Sequence, residues 1–253
     1  MIFAPDCLEG KRVLVSGASS GLGQATAVQM SRCGASIVLC GRDRERLEAT
    51  LSDLSGSDHQ VVAADISSAD TAYAMTKTAI ADGGPLHGVF YSAGQSTVAP
   101  VRLTKDKHLD EAFGAAVFGA FGVARAVSGK GALVDKGSLI FMSSVAATRG
   151  RQGMSAYSAS KAAIGGLVRS MAIELAPRGI RVNGIAAGAV ATAMHNNFAD
   201  NVNEEMLASY RNLHLLGFGE PDDVANYAVF LMSDAARWVT GQDILLDGGY
   251  TAK

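Results

Sequence analysis

Tyr157 and Lys161 stand four residues apart in the run Tyr157-Ser158-Ala159-Ser160-Lys161. On a helix that spacing puts both side chains on one face. A phenol ionises near ~10 and is by itself a poor proton-transfer group at neutral pH, but an adjacent ammonium stabilises the phenolate and lowers that value. Tyr157 is then suited to act as general acid or base. Upstream, Ser143-Ser144 follows an apolar run, and the Ser144 hydroxyl can bond a carbonyl oxygen on which negative charge develops as hydride arrives. Taken alone, Tyr and Lys at this spacing describe an amphipathic surface helix, so the chemistry depends on what else the chain supplies.

It also supplies a glycine loop. Ser16-Gly17-Ala18-Ser19-Ser20-Gly21-Leu22-Gly23 follows a strand pattern and opens a helical one. Glycines there let the backbone turn tightly and approach a pyrophosphate, while a helix N-terminus offers free N–H groups and a positive dipole end. In a chain with 29 glycines among 253 residues such a triplet is common; the strand–turn–helix setting is what points to a nucleotide. The second strand pattern ends in Cys40-Gly41-Arg42-Asp43. An acid at that place bonds the ribose hydroxyls of NAD, whereas an Arg accommodates the 2′-phosphate of NADP. Gly41 followed by Arg42 favours NADP(H) over NAD(H), and Asp43 keeps NAD open.

The elements that must position these residues are legible as alternating patterns. Apolar runs at Arg12–Ser16, Ser36–Cys40, Gln60–Ala64, Gly88–Tyr91, Ser138–Met142, Arg181–Ile185 and Asp243–Leu246 read as strands covered on both faces. Helical segments separate them at Leu22–Cys33, Asp43–Leu54, Ser68–Ala81, Lys107–Val127, Gly153–Ala176, Asn203–Arg211 and Pro221–Ser233, with Pro221 suited to a first turn and Pro177 to a stop. The βαβ order predicts an α/β fold: a single-domain Rossmann-type doubly wound parallel sheet of about seven strands spanning residues 1–253, with ligands beyond the carboxyl ends of the strands.

Composition excludes other classes. With 22 basic and 24 acidic side chains the net charge is −2, and no basic cluster offers a surface for nucleic acid or anionic membrane. The most apolar uncharged stretch, Ala112–Ala124, is too short for the roughly 20 residues of a membrane span. Cys7, Cys33 and Cys40 share no CxxC spacing, and His59, His87, His108, His195 and His214 share no metal-ligand spacing. The expectation is a cytoplasmic protein with reduced thiols, no metal, and histidines that are ordinary surface or loop residues, His195 and His214 alone being placed to touch a substrate.

Together these residues resemble the short-chain dehydrogenase/reductase family over essentially the whole chain, most of all its 3-oxoacyl-acyl-carrier-protein reductase branch. The matching marks are the GxxxGxG loop at Gly17–Gly23, Asp65, Ser92-Ala93-Gly94, Ser144 with Tyr157 and Lys161, Arg181-Val182-Asn183, Gly188, Val190, Thr192, Thr240-Gly241-Gln242 and Asp247-Gly248-Gly249. The resemblance implies hydride transfer between NAD(P) and a carbonyl or alcohol, without metal, in a homotetramer. It further implies that Ser19, Ser20, Leu22 and the loop glycines hold the pyrophosphate, that Asp65 and Ile66 hold the adenine, and that Lys161 also bonds the nicotinamide ribose. Val190 and Thr192, near Gly188, would contact the carboxamide.

Three departures stand out. Ser92 replaces the usual Asn, Ala187 replaces the Pro before Gly188, and Ala116, 24 residues after Ser92, replaces the Asn that completes a catalytic tetrad. Alanine has no polar group with which to hold the relay water that Asn serves; the expectation is a slower but competent enzyme whose relay uses backbone groups or another route. Residues 193–220 occupy the place of a substrate lid, and their Met, Phe and Leu residues favour an apolar or acyl-bearing substrate or, equally, packing on the core or a neighbouring subunit. The small residues Ala115, Ala116, Gly119, Ala120 and Gly122 demand close packing to offset the helix cost of Gly, across a subunit interface or against the chain's own sheet.

The leading expectation is an NADPH-dependent reductase of a ketone, including 3-oxoacyl thioesters. A nucleotide-binding scaffold or redox sensor with impaired chemistry, motivated by Ala116 and Ser92, and an NAD-dependent alcohol dehydrogenase are the alternatives.

Overall fold

The computed structural model describes residues 2–192 and 204–253. Seven strands, β1 (Arg12–Ser16), β2 (Ser36–Gly41), β3 (Gln60–Ala63), β4 (Leu86–Tyr91), β5 (Leu133–Ser144), β6 (Arg181–Ala187) and β7 (Asp243–Leu246), form one parallel sheet in the order β3-β2-β1-β4-β5-β6-β7. Val13 and Val15 face one layer and Leu14 the other, all with no exposure. Both faces of each strand are therefore apolar, which is why the runs do not alternate.

Eight α-helices cover the sheet among the described residues: α1 (Gly21–Arg32), α2 (Arg44–Ser52), α3 (Ala69–Gly83), α4 (Asp106–Phe113), α5 (Ala120–Val127), α6 (Ser155–Leu175), α7 (Glu204–Asn212) and α8 (Pro221–Met232). On one face Ala27 and Met30 of α1 and Val224, Ala228 and Val229 of α8 pack on Val13, Ile37 and Ile140. On the other, Met75 of α3, Val123 of α5 and Ile164 and Val168 of α6 pack on Leu14, Val89 and Phe141. Pro221 occupies the first turn of α8 and Gly179 turns left-handed after Pro177, as their residue types dictate.

Some boundaries differ from the sequence reading for physical reasons. Strand β6 runs on to Ala187 because its end pairs with Ser144 and Leu246. Strand β5 starts at Leu133, opposite Leu86, and a register shift absorbs the extra length before Ser138 meets Gly88. The expected single helix Lys107–Val127 is interrupted by a π turn at Gly114–Gly119. A π turn shifts the carbonyls out of α register, and the hydroxyl of Tyr91, from β4, donates to the carbonyl of Ala115 at 2.5 Å.

The small residues of this region also resolve differently from a subunit seam. A Cβ on Gly119 would collide with the carbonyl of Ile66 and the hydroxyl of Tyr91, and one on Gly122 would strike the carbonyl of Ala69 and come within 2.8 Å of Ala72. They let α5 lie on α3 and its lead-in loop within the same chain. No helix of the described residues is long and apolar enough to cross a membrane. Within the proposed lid, 193–203, with His195, lie outside the described residues; 204–220 begin with α7.

Candidate active site

The strand order reverses between β1 and β4, and in such sheets ligands bind in the crevice beyond the strand ends at that point. The glycine loop lies there. Gly17 has φ +68°, and a Cβ on it would come within 2.8 Å of Ser92 Oγ; one on Gly23 would run into the carbonyl of Gly17. Ser20, the N-cap of α1, is extended and makes no side-chain capping bond, so the first N–H groups of α1 are left to an anion. Ser19 and Leu22 belong to this loop, and Thr192 rests against it, its Cγ2 being 3.5 Å from a Cβ built on Gly21. A cradle closed to side chains and tipped by uncapped N–H groups fits a dinucleotide pyrophosphate.

Ser92 explains its own departure from the family pattern. Its hydroxyl donates to the carbonyl of Ser16 at 2.8 Å, while Ser16 Oγ accepts the N–H groups of Ser92 and Ala93 at 3.1 and 3.3 Å. These bonds stitch β4 to the glycine loop without an amide side chain. Gly94 follows with φ +155°, and a Cβ there would lie 3.3 Å from Ala116 Cβ and 3.6 Å from Lys161 Nζ. Gly94 thus leaves the ammonium approachable, and buried Ala116 stands beside it.

At the adenosine end Gly41 is buried, with Leu47 3.3 Å and Ser19 Oγ 3.6 Å from a built Cβ. Arg42 is exposed. The Asp43 carboxylate caps α2, its Oδ1 accepting the N–H of Arg46 at 3.1 Å. Asp65 is exposed and accepts the N–H of Ser67 at 3.0 Å, next to buried Ile66. Beyond β6, Gly188 passes so close to Asp247 that a Cβ would sit 2.8 Å from its Cα, and Val190 bridges to Gly219.

The reactive side chains meet at the end of β5 and the start of α6. Ser144 Oγ accepts the N–H of Ala146 at 3.2 Å, and its hydroxyl lies close enough to the Tyr157 phenol to favour the phenolate. Lys161 is 6% exposed; its Nζ donates to the carbonyl of Met142 at 3.0 Å and lies 5.8 Å from the centre of the Tyr157 ring. The expected lowering of the Tyr157 ionisation is not what the site produces. Burial pushes it upward, with Ser144 acting in the opposite sense. Burial likewise pushes Lys161 down to about 8, against the attraction of Asp243.

Asp243 carries no mark in the sequence that singles it out. At the start of β7 its Oδ2 accepts the hydroxyl of Ser143 at 2.9 Å, the same hydroxyl lying 3.3 Å from the carbonyl of Lys161, while Oδ1 is buried without a partner. Burial raises its pKa, opposed by Ser143, Arg169 and Lys161.

His214, one of the two histidines placed to touch a substrate, lies in a loop after α7 but is only 4% exposed, buried rather than on the surface. Its Nε2 accepts the N–H of Ala189 at 3.2 Å, so its Nδ1 carries the hydrogen and donates to the carbonyl of Tyr210 at 3.1 Å. The ring stacks on Tyr250 at 4.6 Å and meets Tyr210 and Phe218 edge-on. Arg149 lies 4.3 Å over Tyr250, and Arg151 4.3 Å over Tyr210. The other described histidines bind backbone: Nδ1 of His59, His87 and His108 accepts the N–H of Ile37, Arg12 and Lys105. Among the described residues no cluster of His, Cys, Asp or Glu could hold a metal ion.

Residues 17–251 match the family model described as enoyl-(acyl carrier protein) reductase. A 3-oxoacyl-[acyl-carrier-protein] reductase, FabG, of Staphylococcus aureus is 32% identical over 94% of this chain and 97% of its own. Glucose 1-dehydrogenase of Gluconobacter oxydans is 34% identical over 97% and 94%. Among solved structures, a putative short-chain alcohol dehydrogenase of Sinorhizobium meliloti superposes with a TM-score of 0.90 at 31% identity, over 98% of this chain and 100% of that one. A blue fluorescent protein from a metagenomic library, in complex with NADPH, gives 0.87 at 26%, over 96% and 98%. The fold agrees with these matches, and the chain belongs to the short-chain dehydrogenase/reductase family.

Proposed function

We propose that this protein is an NADPH-dependent reductase that converts a ketone to a secondary alcohol. The observation that carries the reading is buried Lys161, its Nζ 5.8 Å from the centre of the Tyr157 ring, with Ser144 acting on the same phenol and Gly94 beside the ammonium. The cofactor would be held by Gly17, Ser19, Ser20, Gly21, Leu22 and Gly23 at the pyrophosphate, Asp65 and Ile66 at the adenine, Ser92, Ala93 and Gly94 along the β4 end, Lys161 at the nicotinamide ribose, and Gly188, Val190 and Thr192 at the carboxamide. When bound, it supplies the hydride. Arg42, exposed beside a strand end that has no acid, favours NADPH, as does the engagement of Asp43 in a helix cap. The metagenomic neighbour's complex with NADPH agrees with that preference.

The residues divide the remaining work. Ser144 donates to the carbonyl oxygen, on which charge develops. Tyr157, kept protonated by its burial, gives its hydroxyl proton to that oxygen as the C–H bond forms. Lys161 stabilises the resulting phenolate, because a cation beside an anion lowers its free energy. Ala116 offers no side-chain acceptor for a relay water, so the Tyr157 proton returns by way of backbone groups or water at the mouth of the cleft.

The test is nicotinamide oxidation over a panel of ketones and 3-oxoacyl thioesters, with NADPH and NADH side by side. Turnover is expected to favour NADPH and to fall by about 10²–10⁴-fold in Tyr157→Phe. Full activity in that variant removes Tyr157 as the proton donor, and tight NADPH binding with no turnover on any substrate favours the scaffold reading motivated by Ala116. We further propose a homotetramer, supported by the exposed Phe118 of the π turn and Phe121 of α5, 48% and 50% accessible.

A further inference from the structure

Cys7 and Cys33 share no sequence motif, and only the fold makes them neighbours. Residues 5–10 form turns ahead of β1, and this segment lies along the link between α1 and β2. The N–H of Leu8 donates to the carbonyl of Cys33 at 2.8 Å, and the N–H of Ser36 to the carbonyl of Lys11 at 2.9 Å, leading into the parallel pairing of Arg12 with Ser36. Gly34 permits the approach: a Cβ on it would lie 3.2 Å from both N and Cα of Glu9 and 3.3 Å from the carbonyl of Pro5. Each α-carbon of the cysteine pair is two covalent bonds from one end of the Leu8–Cys33 hydrogen bond, which sets the two about 5–7 Å apart. Disulfides span about 4.4–6.8 Å.

Both side chains enter the same apolar layer. Cys33 belongs to the core under α1 and has no exposure, and half-buried Cys7 packs against that core. Burial pushes the Cys33 thiol up, and the neighbouring Cys7 thiol pushes it in the same direction. The third thiol, Cys40, belongs to the layer on the opposite face of the sheet.

We propose that Cys7 and Cys33 form a dithiol site that a hydroperoxide closes to a disulfide, stapling the segment ahead of β1 to the carboxyl end of α1. This inference is independent of the reductase reading. Cys7 reacts first because it is the accessible thiol, whereas Cys33 is sheltered and stays protonated. The Cys7 sulfur attacks the terminal oxygen of the peroxide; an S–O bond forms, the O–O bond breaks, and the released alkoxide takes the thiol proton and leaves as an alcohol. Sulfur has then given two electrons to the peroxide and become a sulfenic acid. The Cys33 sulfur attacks it in turn; the S–S bond forms, the S–O bond breaks, and hydroxide leaves with the Cys33 proton as water. A thiol of raised pKa is a strong nucleophile once that proton departs. The glycine cradle is at the amino end of α1 and the staple at its carboxyl end, so the effect is read in stability rather than in turnover.

The probe is hydrogen peroxide, for which the alcohol is water, applied to the whole folded chain before alkylation, digestion without reductant and mass spectrometry. Trypsin cuts after Lys11, Arg32 and Arg42 and leaves Cys33 and Cys40 on one peptide; Cys40→Ala therefore identifies the partner of Cys7. A linked peptide pair within one chain, lighter by two hydrogens than its reduced components, is expected in the wild type and in Cys40→Ala. Closing the loop between the two cysteines is expected to raise the melting temperature by about 5–10 °C, reversibly on addition of dithiothreitol. In Cys7→Ala and Cys33→Ala, oxidation is expected to leave it unchanged. Each protein is compared with its own reduced form, so any stability lost to the substitution itself cancels, and Cys7→Ala tests the bond from the accessible side should Cys33→Ala not fold. Cys7 carried on to a sulfinic acid or bridged to a second chain with no link to Cys33, or a link that fails to raise the melting temperature, overturns the proposal.

Discussion

Asp243 is the charged side chain that opposes burial at Lys161. A lysine pushed down to about 8 gives up its proton as pH rises through that value, and with it the cation that stabilises the Tyr157 phenolate. The kcat/KM of the free enzyme is therefore expected to fall on the alkaline side of about pH 8. Asp243→Asn keeps an acceptor for the Ser143 hydroxyl but removes the negative charge, so Lys161 loses its proton at lower pH still and the alkaline limb moves toward acid. A pH profile with the limb in the same place in both proteins shows that Asp243 only packs. Type and spacing alone leave Tyr157 and Lys161 as an amphipathic surface helix, and it is the family resemblance that marks them, with Ser144, as a set. The ionisation of the set was legible in neither, because the direction of the Tyr157 shift depends on how deeply the phenol is packed. Nor could Arg151 and Tyr210 be paired, since only the fold brings the β5–α6 loop against α7.

At the level of elements, strands and glycine loop follow from the apolar runs and from the setting of the glycines. The π turn does not. Ala115 to Gly122 reads as an uninterrupted helix, and only the Tyr91 hydroxyl, reaching from β4 to the Ala115 carbonyl, shows where the register changes. Asp43 is a similar case: a carboxylate after a strand serves a ribose or a helix cap, and only the fold shows its Oδ1 accepting the Arg46 N–H as a cap. The π turn tolerates no side chain at Gly119, where a Cβ meets the carbonyl of Ile66 and the Tyr91 hydroxyl. Gly119→Ala is expected to lower stability by about 1–3 kcal/mol through overpacking, despite alanine's better helix propensity. Chemical denaturation measures it, and a neutral or stabilising change shows that α5 shifts freely on α3.

For the molecule as a whole, the glycines of α5 are spent on α3, so they carry no case for assembly. What the outer surface does present beside them is Phe118 and Phe121, each about half exposed. If four chains associate through that surface, light scattering gives about four times the 26.1 kDa of one chain, and Phe118→Ser with Phe121→Ser lowers the mass at micromolar concentration. A wild-type monomer, or a double variant whose mass does not change, places the contacts elsewhere, Trp238 and Leu216 being the most exposed large apolar residues.

The seam between β1 and β4 bears on the order of folding. Strands β1 to β3 and β4 to β7 each pair with the strand next in the chain, whereas the hydrogen bond from the Ser92 N–H to Ser16 Oγ joins residues 76 apart. Closing that loop costs more chain entropy than any neighbouring crossover. The phosphate cradle has one wall on each side of the seam, Gly17 on one and Ser92 on the other. With one wall on each half, a nucleotide bound in the cradle would by mass action stabilise the docking of one half upon the other.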